Sequence, residues 1–226
     1  MEQREELRTA GKLPPAEGAI IYGAGGHARE LRDQMQSDGW IVHAFIDDFD
    51  HSRNIGDQPV LSFDEAYSRH PAALWFIAIG DHKVRRIMAD RLLKQGLQPG
   101  IFISRDAMVS PSTQIEPGVQ IFARTVISSG TRLGRYAIAN FSCVLSHDVE
   151  VDSFTTISPG VHVAGNVHVM EGAFIGVGAC IKNGSSNRKL IIGPESVIGA
   201  GACVVNDVHN ETVVVGVPAR IMGKYR

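Results

Sequence analysis

The chain has 226 residues, 44% hydrophobic and 20% charged, with a formal net charge of −2. That length supports one large domain or two small ones with real cores. The balance of charge gives no electrostatic case for nucleic acid or an anionic membrane surface, and no apolar run approaches the roughly 20 residues of a membrane span.

The first 18 residues, "MEQREELRTAGKLPPAEG", are charged and lack the apolar stretch of a signal peptide. They read as a flexible tail with one helical turn before Pro14. The three cysteines, Cys143, Cys180 and Cys203, contain no C-x-x-C pair and leave an odd count, which argues against a disulfide frame or a zinc site. The expected compartment is the cytoplasm.

From Ala19 the pattern alternates. Ala19–Tyr22 is an apolar strand; a glycine turn follows, then a helix from about Ala28. "WIVHAFIDD" reads as a second strand ending at Asp47 and Asp48, and "DEAYSRH" as a short helix. "ALWFIAIGD" is a buried strand, and "HKVRRIMADRLLKQG" a helix stopped by Gly96. Strands alternating with helices predict a small parallel α/β sheet over residues 19–102. Gly23, Gly25 and Ala28 satisfy G-x-G-x-x-G/A, with Asp47 about 20 residues further on. Glycines there allow close backbone approach, and a helix N-terminus attracts phosphate. A plain structural turn, a nicotinamide cofactor and a nucleotide-sugar pyrophosphate all remain open. The nicotinamide reading is the weakest, because about 85 residues supply only half of the usual dinucleotide fold.

The second half has a period of six. Ile103, Val109, Ile115, Ile121, Ile127, Leu133, Ala139, Leu145, Val151, Ile157, Val163, Val169, Ile175 and Ile181 follow one another at that step. Only Ala139 is not Val, Ile or Leu, types that make up 54 of the 226 residues, so chance does not account for the run. Four places after each lies a small or β-branched residue, from Ala107 and Thr113 to Ala173 and Ala179. Neither a 3.6-residue nor a 2-residue period explains a strict six. β-branched residues favour extended backbone, so each unit reads as a short strand and a tight corner. Three units close a triangular coil, and stacked coils bury a continuous aliphatic core. After Ile181 the step is eleven, to Ile192, across the polar segment "KNGSSNRKLI", which reads as a loop pushed out of the repeat.

This pattern resembles the left-handed parallel β-helix of hexapeptide acyltransferases, over residues 103–226 and including the ending "VVVGVPARIM". Relatives of the carbonic anhydrase type share the coil; His147, His162 and His168 do not follow their metal spacing. "GAGGHA", "FIDD" and "IAIGD" in turn resemble the amino-terminal domain of bacterial sugar acetyltransferases. That group includes the bacillosamine-pathway and perosamine N-acetyltransferases and the sialic acid O-acetyltransferases.

The resemblance implies a small Rossmann-like parallel α/β domain that binds a nucleotide-linked amino sugar, followed by a left-handed β-helix that transfers acetyl. It implies acetyl-CoA as co-substrate, no metal, and a homotrimer with the coenzyme A groove between neighbouring copies. The substrate-binding residues expected are Gly23, Ala24, Gly25, Gly26, His27, Asp47, Asp48 and Gly80. Gly165, Val177 and Ala200 are expected to line the coenzyme A groove. Arg188 and Lys189 would meet its phosphates or serve as an ordinary solvated loop.

In "VLSHDVEVDSFTTISPG" the resemblance marks His147 as general base, with Asp148 beside it and Asn140 nearby. The chemistry suits the residue: imidazole takes a proton near neutral pH, and a carboxylate supports the imidazolium. A backbone N–H would hold the oxyanion. Some relatives carry a second histidine at the acetyl group of the coenzyme where this chain has Thr156; Thr156 is expected to take that cofactor-binding place, and it can donate a hydrogen bond but carries no charge. The expected activity is N-acetylation of a 4-amino-4,6-dideoxy sugar. A sialic acid-type O-acetyltransferase and a non-catalytic nucleotide-sugar-binding protein are the alternatives.

Overall fold

The structure is a computed structural model, and it describes residues 14–97 and 99–224. The tail read over residues 1–18 therefore lies outside the described residues up to residue 13. Beyond it, Gly18 N–H closes a turn onto the Pro15 carbonyl at 3.2 Å. The chain divides into two compact units with a boundary between Arg105 and Asp106; the sequence pattern places the change at 102/103.

The first unit carries strands β1 (Ala19–Tyr22), β2 (Val42–Ile46), β3 (Arg53–Ile55), β4 (Gln58–Leu61) and β5 (Leu74–Ile77) in the order β3-β4-β2-β1-β5. β4, β2, β1 and β5 are parallel; β3 is an antiparallel edge. All four residues of β1 are buried, as a central strand of a parallel sheet requires. Helix α1 (Gly26–Ser37) buries Ala28, Leu31 and Met35, one stripe at helical spacing. Helix α2 (Phe63–Arg69) opens with a capping box between Ser62 and Glu65. Helix α3 (His82–Lys94) is capped by Asp81, whose carboxylate accepts the Lys83 and Val84 N–H groups. Trp75, Phe76 and Phe45 fill the core, with Trp40 edge-on to Phe76 at 5.5 Å. The β3–β4 hairpin is not in the sequence reading: its strands are short, show no sustained apolar–polar alternation, and include Pro59.

The second unit is a left-handed parallel β-helix. Its strands, most of them two residues long, stack into three sheets, and as far as Ile181 each pairs with one 18 residues on: Val126 with Val144, Arg132 with Glu150, Ile138 with Thr156. The aliphatic residues of the six-residue series point inward and are buried, with Ile115 only half-buried. The small residues four places on are buried as well, from Ala107 at 5% to Ala179 at 0%. Each coil thus packs one large and one small side chain per side. The strand pair Thr212–Val215 and Arg220–Lys224 runs antiparallel at one end of the coil. Among the described residues, no helix is long and apolar enough to cross a membrane.

Candidate active site

The corners of the coil decide where polar side chains meet. Residues 18 apart in sequence share a corner and sit on successive turns. After strand Val144–Leu145 the chain turns through Ser146, His147 and Asp148. Asp148 holds a left-handed φ of 57°; the positions above and below it in the same column, Asn166 (58°) and Gly130 (69°), do the same. Gly, Asn and Asp are the residues that tolerate this backbone best. The conformation folds the Asp148 carboxylate back onto its neighbour, and His147 Nδ1 donates to Asp148 Oδ2 at 2.9 Å. That tautomer leaves the Nε2 lone pair free to accept a proton. Both side chains are exposed, at 64% and 62%.

The backbone around the pair is tied on several sides. Asp148 N–H donates to the Ser129 carbonyl at 3.0 Å, and Asn166 N–H to the His147 carbonyl at 3.0 Å. Lys189 Nζ donates to the Asp148 carbonyl at 2.8 Å and pairs with Glu150 Oε1 at 2.8 Å. The Lys189 ammonium holds the Glu150 carboxyl below its ordinary range. His147, Asp148, Gly165 and Asn166 form one side of a cavity of about 410 Å³; Asn183, Gly184, Ser185 and Ser186 form the rest. Those loop residues were not singled out from sequence, where the eleven-residue step was the signal that pointed to them.

Gly165 lies against His147 on the next coil. Val177 is exposed at 55%; Gly201 N–H donates to its carbonyl at 2.8 Å, which brings it beside exposed Ala200 at the corner that follows strands Phe174–Ile175 and Val197–Ile198. Asn140 belongs to that same corner, several coils away, following strand Ile138–Ala139. Its side-chain oxygen accepts Phe141 N–H at 2.7 Å. Thr156 is buried on a strand between Ile138 and Phe174. In one chain, then, His147, Asp148 and Gly165 come together, while Asn140, Val177 and Ala200 occupy a different corner. Arg188 pairs with Asp207, and Lys189 with Glu150, so both cations already have acidic partners. Among the described residues, no three His, Cys, Asp or Glu side chains gather as a metal site; His168 is bonded to Asp152 at 2.8 Å.

In the first unit, the sequence-derived residues gather at the carboxyl ends of three adjacent parallel strands, the usual ligand edge of such a sheet. Gly23 to His27 follow β1, Asp47 and Asp48 follow β2, and Gly80 follows β5. Gly23 has φ 117°, and a Cβ on it would lie 2.7 Å from the Ala78 carbonyl, so only glycine fits. Gly25 caps α1, and neither it nor Gly80 has an atom within 4 Å of an added Cβ. Asp47 accepts the Phe49 and Asp50 N–H groups at 3.0 and 3.1 Å, forming its own turn. Asp48 accepts from the Tyr22 hydroxyl and from Arg91 at 2.7 Å. Burial and the Asp48 carboxylate raise the Tyr22 phenol above its ordinary value. The Gly80 and Ile79 carbonyls accept from buried Arg85 at 3.1 and 2.6 Å, which shapes the loop before α3.

Residues 19–92 match the family described as the PglD N-terminal domain. The GDP-perosamine N-acetyltransferase of Escherichia coli O157:H7 is 32% identical over 182 residues, 76% of this chain and 81% of that protein. A solved histidine-to-alanine variant of GDP-perosamine N-acetyltransferase from Caulobacter crescentus, in complex with CoA and GDP-perosamine, superposes with a TM-score of 0.85. It is 31% identical and covers 93% of this chain and 99% of its own. The acetyltransferase domain of PglB from Neisseria gonorrhoeae, in complex with acetyl coenzyme A, has a TM-score of 0.82 at 29% identity and covers 90% and 98%. The chain belongs to the family of bacterial sugar acetyltransferases that contains the GDP-perosamine N-acetyltransferases.

Proposed function

We propose that this protein transfers acetyl from acetyl-CoA to the 4-amino group of a nucleotide-linked 4-amino-4,6-dideoxy sugar, with His147 as general base. The observation that carries the reading is the His147–Asp148 pair at 2.9 Å, standing at the cavity of about 410 Å³. The relatives' complexes with CoA and GDP-perosamine supply the substrate class.

The residues suit the chemistry. A sugar amine must lose a proton as its nitrogen attacks the thioester carbonyl. His147 Nε2 accepts that proton. Asp148, bonded to Nδ1, keeps the ring in the accepting tautomer and stabilises the imidazolium that forms. The thiol of coenzyme A then leaves, taking a proton back. The oxyanion needs a hydrogen-bond donor, a role that a backbone N–H of a coil corner would fill. At the strand ends of the first unit, the open Gly25 and Gly80 positions leave room for the nucleotide's pyrophosphate at the start of α1.

The separation of Asn140, Val177 and Ala200 from His147 supports a site shared between copies of the chain, as in the homotrimer that the resemblance implies. If all of them serve one site, a second copy of the chain must supply half of it. The work would be done in the cytoplasm, where acetyl-CoA and nucleotide sugars are made.

Thiol release from acetyl-CoA is the test, with UDP-, dTDP- and GDP-linked 4-amino sugars and their 4-hydroxy counterparts as acceptors. Turnover should require the amine, and His147→Ala should fold yet lose on the order of 10²–10⁴-fold in kcat/KM. Turnover of the hydroxy sugars alone, or a loss of only a few-fold in the variant, would sink the reading.

A further inference from the structure

The coil breaks step once near the site. Val169 pairs with Ile192, a step of 23, where Val151 pairs with Val169 at a step of 18. The surplus forms the loop through Ser185, Ser186 and Arg188. It is not a free excursion. Asn166 Nδ2 donates to the Ser185 carbonyl. Ser185 and Arg188 exchange backbone hydrogen bonds at 2.8 and 3.3 Å, and Arg188 pairs with Asp207. At its end, Lys189 reaches back across 41 residues to the Asp148 carbonyl and to Glu150.

Two consequences follow. A lysine side chain loses much rotamer freedom when it is fixed, so holding it takes strong partners; a carboxylate and a carbonyl at 2.8 Å are such partners. With Asp148 N–H on Ser129 and its carbonyl on Lys189, the residue is held from both sides in its left-handed conformation. Its carboxylate orients His147. The second consequence concerns the cavity. Asn183, Ser185 and Ser186 form the loop side of it; their side chains donate to the Gly184 carbonyl, the Arg188 carbonyl and Asn187 Oδ1, which leaves their own oxygens as neutral acceptors. Such groups match the hydroxyls of a sugar, whereas a phosphate calls for cations, and both cations of this loop are already paired.

We infer that Lys189 is a positioning residue, locking Asp148 and the inserted loop together, and that Asn183, Ser185 and Ser186 are the sugar-facing wall of the acceptor pocket. This rests on His147 being the base. It departs from the expectation that Arg188 and Lys189 meet the phosphates of coenzyme A.

Steady-state kinetics of Lys189→Met, Lys189→Arg, Glu150→Gln and Ser186→Ala on the full-length protein test it. Lys189→Met should lower kcat on the order of 10–100-fold, the scale expected when a reacting group is misplaced. Its KM for acetyl-CoA should stay within about twofold of wild type, and Lys189→Arg should recover most of the rate. Ser186→Ala should raise KM for the sugar without moving KM for acetyl-CoA. Glu150→Gln gives the same kcat loss in weaker form and decides the matter should Lys189→Met not fold. An unchanged kcat, or a defect confined to the acetyl-CoA KM, overturns the inference. Wild-type turnover of the amino sugar is the internal control: without it the functional reading falls and takes this one with it, whereas an active wild type with indifferent variants removes this one alone.

Discussion

Gly165 lies so close to the His147 ring that a Cβ built on it would stand 2.4 Å from Nε2 and 2.5 Å from Cε1. The glycine is needed for space and not for its backbone, since Gly165 is absent from the residues with left-handed φ. Gly165→Ala should therefore leave the coil intact and push only the imidazole aside. We expect a fall in kcat on the order of 10–100-fold with a melting temperature close to wild type. A variant with normal turnover would mean that the ring position does not matter to the reaction.

The partner of that ring can be tested without disturbing the corner. Asparagine tolerates the left-handed conformation that Asp148 adopts and keeps nearly the same shape. Asp148→Asn thus removes the charge and permits the wrong imidazole tautomer. It should cost at least about tenfold in kcat, as other His–carboxylate pairs do when the acid is neutralised. Asp148→Ala should in addition lower the melting temperature, because the φ of 57° becomes strained.

Cys143 is fully buried, with Sγ donating to the Ser158 carbonyl at 3.1 Å, and burial pushes its thiol up to about 11. A thiol of that kind is neither ionised nor reachable near neutral pH. Alkylation of the native protein followed by mass spectrometry should leave Cys143 unmodified, while denaturant should expose it. Modification under native conditions would show that the coil opens locally.

The cap on α3 ties the stability of the first unit to pH. The Val84 N–H, ahead of the Lys83 N–H, holds the Asp81 carboxyl below its ordinary range. A carboxyl lowered in the folded state stabilises it above the unfolded value of about 3.9 and ceases to do so as pH falls through the lower folded value. Asp81→Ala should cost about 1 kcal/mol at pH 7, and the gap from wild type should narrow when both are unfolded at pH 3. An equal gap at both pH values would assign the loss to something other than the charged cap.

How far the residues alone reach differs between the two units. The coil was legible because its inward positions recur every six residues with a fixed large-small alternation, and burial confirms nearly every one, with half-buried Ile115 as the exception. That the glycine turn, Asp47, Asp48 and Gly80 share one edge of the sheet was legible because strand–helix alternation dictates a parallel sheet whose strand ends line up. The β3–β4 hairpin was not, since an edge strand needs no apolar alternation to announce it. Nor were the hydrogen bonds that occupy Asp48, which come from Tyr22 and Arg91, 26 and 43 residues away. The sequence by itself determined the coil, the α/β sheet and the His147–Asp148 pair, because these depend on local periodicity and adjacent residues. Only the tertiary structure decided which corner each residue occupies. An 18-residue turn stacks Gly165 on His147, sends Asn140 to another corner, and lets Lys189 return to Asp148 from a loop that the repeat does not encode.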